Sequence, residues 1–212
     1  MGTMYVLPKL RVVDRQQFLI SKCTKKRVLH LGAVGFHMGG VCGLHRKLMD
    51  IADSLIGIDI DSNGIELAKT EGVANIYCAD LEKLQELNIN ATVDTIVAGD
   101  VIEHLSNVGL FLEGIKKFFN SDTEMILTTP NAFSFHRLLF TLRRFEYVHP
   151  DHTCYYSYRT LRYLLQRHGF IIREELAYVL QGKLVSLRKQ LGRINFNFTN
   201  GLIFIVTLRE RE

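Results

Sequence analysis

The chain has 212 residues, a net charge of +4, 47% hydrophobic and 23% charged residues. That balance suits one ordinary domain able to bury its own core, and excludes a polar, charge-rich disordered chain. The positive charge is mild and dispersed, so anionic substrates are admissible while nucleic acid is not the expected partner.

Cys23, Cys42, Cys78 and Cys154 lie far apart without a C-x-x-C pair, which argues against a structural zinc site or a redox dithiol. Apolar runs such as 201–208 are far shorter than the roughly 20 residues of a spanning helix, so no transmembrane segment is expected. The N-terminus lacks the basic, apolar and small-residue succession of a secretory signal, and the expected location is cytoplasmic.

In chain order, residues 1–24 read as an N-terminal extension, helical from Asp14, ahead of one domain spanning 25–212. Short apolar, β-rich runs then alternate with amphipathic stretches. Strands are expected at 27–31, 55–60, 75–78, 95–98, 125–128, 170–180 and 202–208, and helices at 40–51, 63–70, 108–119, 133–143 and 159–168. Asn63 followed by Glu66 has capping-box spacing, and Gly72 reads as a stop. The last two strands lack a crossover helix between them, so they are expected to pair antiparallel at the sheet edge, with 181–200 carrying no clear pattern. The sum is an α/β domain: a mostly parallel seven-stranded sheet with helices on both faces.

Val28-Leu-His-Leu-Gly-Ala-Val-Gly35 runs from a strand into a glycine-bearing turn, where Gly32 and Gly35 allow a ligand to approach the backbone. The spacing is not G-x-G-x-x-G, which disfavours a dinucleotide pyrophosphate. Asp59 ends the second strand, 27 residues after Gly32, where a carboxylate can accept from two ribose hydroxyls. Asp80 follows the third strand at the same edge and can meet an adenine amino group. The fourth strand runs into Gly99-Asp-Val-Ile-Glu-His-Leu105.

These stretches, with Thr129-Pro-Asn131 and the run from His152 to Phe170, resemble class I S-adenosylmethionine-dependent methyltransferases, especially quinone and sugar O-methyltransferases. The resemblance covers about residues 27–170 and implies a Rossmann-like fold with S-adenosylmethionine as cofactor. By it, Gly32, Gly35 and Asp100 would lie by the methionine part, Asp59 would hold the ribose, and Asp80 would sit near adenine. The first motif departs from the family's pattern: His30 stands where an acid is usual, and Val34 and Phe36 stand where glycine is common.

Methyl transfer needs alignment in a dry pocket more than a nucleophilic triad, yet a hydroxyl acceptor gains from a base. His152, then His149, then His104 are the candidates. Asp100, Glu103, His104 and a histidine of 149–152 could instead form a metal cluster reminiscent of small-RNA 2′-O-methyltransferases; the metal-free reading is preferred. No Asn/Asp-Pro-Pro-Tyr motif is present, which favours O-methylation of a small-molecule hydroxyl of sugar or phenol/quinone type. The alternatives are a non-catalytic nucleoside-binding or partner module and an RNA 2′-O-methyltransferase. Residues 133–147 mix Phe and Leu with arginines that could hold a phosphate. Packing on the sheet is preferred there over peripheral membrane contact.

Overall fold

A computed structural model describes residues 2–35, 41–182 and 184–209. In it, one mixed sheet of eight strands carries the fold, in the order β1-β7-β8-β6-β5-β2-β3-β4. β1 is Arg11–Asp14, β2 Arg27–Leu31, β3 Ser54–Asp59, β4 Ile76–Cys78, β5 Thr95–Gly99, β6 Glu124–Pro130, β7 Phe170–Val179 and β8 Gly201–Leu208. The helices are α1 (Arg15–Cys23), α2 (Gly43–Met49), α3 (Ser62–Thr70), α4 (Val108–Gly114), α5 (Phe135–Leu142), α6 (Tyr158–Arg167) and α7 (Val185–Ile194).

The sheet holds eight strands rather than the expected seven. The added strand is β1, which pairs parallel with β7 through Arg11 opposite Leu176 to Asp14 opposite Val179. Four residues lack the length to show an alternating pattern, and only the partner strand makes them β. The segment before residue 25 thus contributes β1 and α1 to the sheet. As expected, α1 starts after Asp14, whose carboxylate caps Gln17 N–H at 3.0 Å. It buries Phe18, Leu19 and Cys23.

β8 is antiparallel to both neighbours, β6 and β7. The last two strands therefore pair antiparallel as read from the sequence, but not at the edge: β8 is interior and fully apolar from Leu202 to Val206, and β1 covers β7. Burial on both faces explains its unbroken hydrophobic run.

One face packs Leu29, Leu31, Ile96, Phe111, Leu161 and Phe204 into the largest cluster. The opposite face packs Phe18, Leu19, Leu48, Val97 and Tyr178, so helices do cover both faces.

Three local expectations need correction. α3 is capped by Asp61, whose side chain accepts from Gly64 N–H at 3.0 Å, and not by Asn63, which lies inside the helix. Residues 181–200 hold α7 and a 3-10 turn at Phe196–Phe198. Finally, α5 is not laid on the sheet: it buries none of its residues, and Phe135 rests on Phe198 with ring centroids 5.1 Å apart.

Candidate functional site

The parallel strands β2, β3 and β5 end at one edge, and the chain leaves each of them through a turn that bears polar groups. At the end of β2, Gly32 has φ +74°, and a Cβ there would meet Val101 Cγ2 at 3.1 Å. Glycine is thus required both by conformation and by space. Gly32 N–H donates to Ile58 O at 2.9 Å, tying the turn to β3.

Asp59 is the hinge of this edge. One carboxylate oxygen accepts from Val34 N–H at 2.8 Å and the other from Asp61 N–H at 3.0 Å. A carboxylate has about four acceptor positions, so both oxygens keep capacity for ligand hydroxyls. Val34, at a position where the family commonly has glycine, keeps the turn by its backbone amide. Its side chain packs with Ile65, Ala68, Val73 and Ile76. Gly35 is the last described residue of the turn; Phe36, Gly39 and Gly40 lie outside the described residues.

His30, where an acid is usual, is buried and stacks on His45, with Nδ1 to Nδ1 at 3.1 Å. Burial, the neighbouring ring and Arg15 push His30 down to about 3, and burial pushes His45 down to about 4. The pair is neutral at physiological pH, one ring donating to the other. The strand interior therefore carries no charge at this point.

Asp80 caps the turn after β4, accepting from Glu82 N–H at 2.9 Å. Asp100, with φ +54°, is committed to internal partners. It pairs with Arg15 at 2.6 Å and accepts from Thr128 Oγ1 at 2.8 Å and Tyr178 OH at 3.2 Å. Sequence reading missed Arg15, because α1 comes to the site only through tertiary packing. Its guanidinium reaches Gly99 and lies 5.6 Å over Tyr178, while its Nε is buried without a hydrogen-bond partner. Ile60 was not among the residues read from the sequence: it stands between Asp59 and Asp61 with 69% of its surface exposed, an apolar side chain beside that carboxylate.

A second group of side chains comes from distant segments. Thr153 and Cys154 N–H donate to Glu103 O at 2.8 and 3.4 Å, and Thr153 Oγ1 donates to Leu105 O at 2.7 Å. The 149–154 segment is thereby strapped onto the turn after β5. This brings His104, His149 and His152 together, one ring nitrogen of each within 4.8 Å of the others. Such a set has the donors to hold a divalent cation of borderline character. Asp100, by contrast, is engaged by Arg15, Thr128 and Tyr178, whereas Glu103 has one oxygen bonded to Thr129 and its Oε1 buried without a hydrogen-bond partner.

Burial and the neighbouring histidines lower both His104 and His152, which keeps the imidazoles unprotonated near neutral pH. His152 Nδ1 is buried without a hydrogen-bond partner, and His149 Nδ1 lies 3.8 Å from the Asp151 carboxylate. Glu103 is itself buried and pushed up to about 8 by desolvation and by the charge on Asp100. One oxygen accepts from Thr129 Oγ1 at 3.0 Å. Tyr155, whose ring centroid lies 6.5 Å from that of His152, helps to line a cavity of about 390 Å³ with Ala132, Arg137, Thr141, Glu146, Tyr147 and Thr160 among others. Arg137 lies 4.6 Å over the Tyr155 ring.

A glycine turn and acid-bearing strand ends on a sheet whose last strand is inserted antiparallel between β6 and β7 define a nucleoside-binding α/β domain of the class I methyltransferase kind. A family described as a methyltransferase domain matches residues 25–175, and the chain belongs to it. It is an S-adenosylmethionine-dependent methyltransferase.

Solved structures agree on the fold. An S-adenosylmethionine-dependent methyltransferase from Archaeoglobus fulgidus is 19% identical with a TM-score of 0.58, covering 90% of this chain and 93% of that one. The small RNA methyltransferase HEN1 is 18% identical with a TM-score of 0.64, over 93% of this chain but 25% of that one. A methyltransferase solved in complex with the Trm112 activator of Haloferax volcanii is 11% identical with a TM-score of 0.66, covering 92% and 89%. No curated protein matches the chain. Among the described residues no helix is long and apolar enough to cross a membrane.

Proposed function

We propose that this methyltransferase acts on the hydroxyl of a small-molecule acceptor, of sugar or phenol/quinone type. The observation that carries the reading is the cluster of three histidines beside a cavity at the same sheet edge as Asp59. When bound, S-adenosylmethionine supplies an electrophilic methyl group on a sulfonium.

The residues present fit that cofactor. Asp59 has acceptor capacity left for the ribose hydroxyls, Gly32 and Gly35 would line the methionine part, and Asp80 would lie by adenine with Ile60 as an apolar face. Asp100 acts at the methionine end through Arg15, whose buried Nε lacks a partner and whose charge suits a carboxylate. In this reading the cofactor-binding unit begins near residue 25, and the extension before it supplies Arg15.

His152 is the first candidate for holding the acceptor's proton, with His149 next and His104 as support. An unprotonated imidazole can accept a proton that a protonated one cannot. Arg137, fixed over Tyr155 in the cavity wall, can orient an anionic or polar group of the acceptor.

A second reading, 2′-O-methylation of RNA, draws on the same histidines. The three together can bind a cation, and HEN1 shares the fold. It predicts metal-dependent turnover and salt-sensitive RNA binding.

The test is calorimetric titration of the full chain with S-adenosylmethionine and its demethylated product, followed by an acceptor panel of sugars and phenols. Asp59→Ala is expected to weaken cofactor binding by about 100-fold, through loss of charge-assisted hydrogen bonds. His152→Ala is expected to leave cofactor affinity within about twofold while lowering kcat by about 100-fold, in the range of general-base contributions. Normal turnover by His152→Ala on a hydroxyl acceptor would remove the base from this scheme.

A further inference from the structure

α5 and α7 form one face whose composition differs from the rest of the molecule. Residues 133–145 contain Arg137, Arg143 and Arg144, and residues 184–194 contain Arg188, Lys189 and Arg193, with no aspartate or glutamate in either segment. These two short segments carry six positive charges in a chain whose net charge is +4, so the remainder is net negative by two.

The segments are neighbours in space. Phe135 of α5 stacks on Phe198, in the turn that follows α7. Arg188 of α7 is close enough to His136 of α5 to depress its protonation. None of the six basic side chains has an acidic partner among the ion pairs of the described residues.

The apolar residues of the same face point outward. Phe133, Leu142, Phe145, Leu184 and Ile194 are each about two-thirds exposed or more. α5 is apolar at five of its eight positions yet buries none of them. An exposed apolar stripe set among cations that have no ion-pair partner, with Glu146 bordering it beyond Phe145, matches an interface that presents hydrocarbon beneath negative charge.

We infer that the α5–α7 face docks on an anionic phospholipid bilayer, with Leu142, Phe145 and Ile194 entering the headgroup boundary and the basic residues meeting lipid phosphates. A protein partner of mixed charge would leave the cations unanswered, and RNA alone would leave Leu142 and Phe145 in water. The site cavity shares Arg137 and Thr141 with α5, so the docked face would place the cavity mouth near the membrane surface.

The experiment is co-sedimentation of the full chain with vesicles of phosphatidylcholine alone and with about a third phosphatidylglycerol. Binding is expected only to the anionic vesicles, weakening as salt rises because each basic residue near such a surface is worth about fivefold in partitioning. The double variant Arg143→Glu with Arg144→Glu is expected to lose at least about tenfold. Leu142→Asp is expected to lose binding at unchanged melting temperature, since its side chain is exposed. A control on α2, Lys47→Glu, should bind within about twofold of the parent.

The inference is overturned if the chain ignores anionic vesicles, or if it binds them equally after the arginine reversals. It is also overturned if a single-stranded RNA is retained while vesicles are not, or if Leu142→Asp only dissolves a self-association seen by sedimentation. None of these readouts depends on the acceptor or on turnover.

Discussion

The two ends of the site are made in different ways. At the proposed cofactor end, Gly32, Asp59 and Asp80 follow successive strands within 50 residues of one another, and backbone hydrogen bonds fix each turn. At the proposed acceptor end, His104 meets His149 and His152 across more than 40 residues, and the meeting depends on a strap of hydrogen bonds from Thr153 and Cys154 to Glu103 and Leu105. A nucleoside can be held by strand ends that any such sheet supplies. An acceptor pocket made from loops carried on the sheet is where differences in specificity are expected to lie.

The largest expected effect probes the rigid end. His30 and His45 are held neutral in the native protein, at about 3 and about 4, whereas unfolded histidines titrate near 6.5. Below about 6.5 the unfolded chain therefore binds more protons than the native one. Stability is full above that pH and falls as acid is added, by about 1.4 kcal/mol per pH unit for each histidine. Glu103, held protonated up to about 8, contributes an opposite slope of about one proton over the same range, so the diagnostic is a difference: His45→Gln should change the slope of urea-unfolding stability between pH 7 and about 4.5 by about one proton relative to the parent. An unchanged slope in that variant would mean that the pair is not the acid-sensitive element.

A smaller effect should couple the rigid end to its ligand. A Cβ on Gly64 would collide with Val34 Cγ1 and approach Asp61 Oδ2 to 2.8 Å. Gly64→Ala should thus push α3 away from the turn, costing about 1–3 kcal/mol in thermal unfolding. Cofactor affinity should drop with it while the histidine strap is untouched. The smallest change is at the other end: Thr153→Val removes the hydroxyl from Leu105 O and Glu103 O, at about 1 kcal/mol. Its signature should be a raised KM for acceptor at unchanged cofactor affinity, and equal loss of both would contradict a division of the site into two ends.

Strand positions 27–31, 95–98 and 202–208 were legible because buried β-branched and aliphatic runs bounded by turn residues have few other solutions. Asp59 was legible for the same reason: it terminates such a run. The capping of α3 was misread, since Asn63 with Glu66 has the right spacing but Asp61 reaches Gly64 N–H first. Arg15 was invisible because its role depends on α1 crossing to Asp100, 85 positions later in the chain.

By itself the sequence determined the alternation of strands and helices, the glycine turn, the acids at the strand ends and the family to which these belong. Each of these is a local pattern whose period or spacing dictates backbone geometry. Tertiary structure alone decided that residues 11–14 become an edge strand, that β8 lies inside the sheet, that α5 stands clear of it and that three histidines meet. Those outcomes rest on contacts between segments distant in the chain, where the free energy comes from pairing and burial that no local window contains.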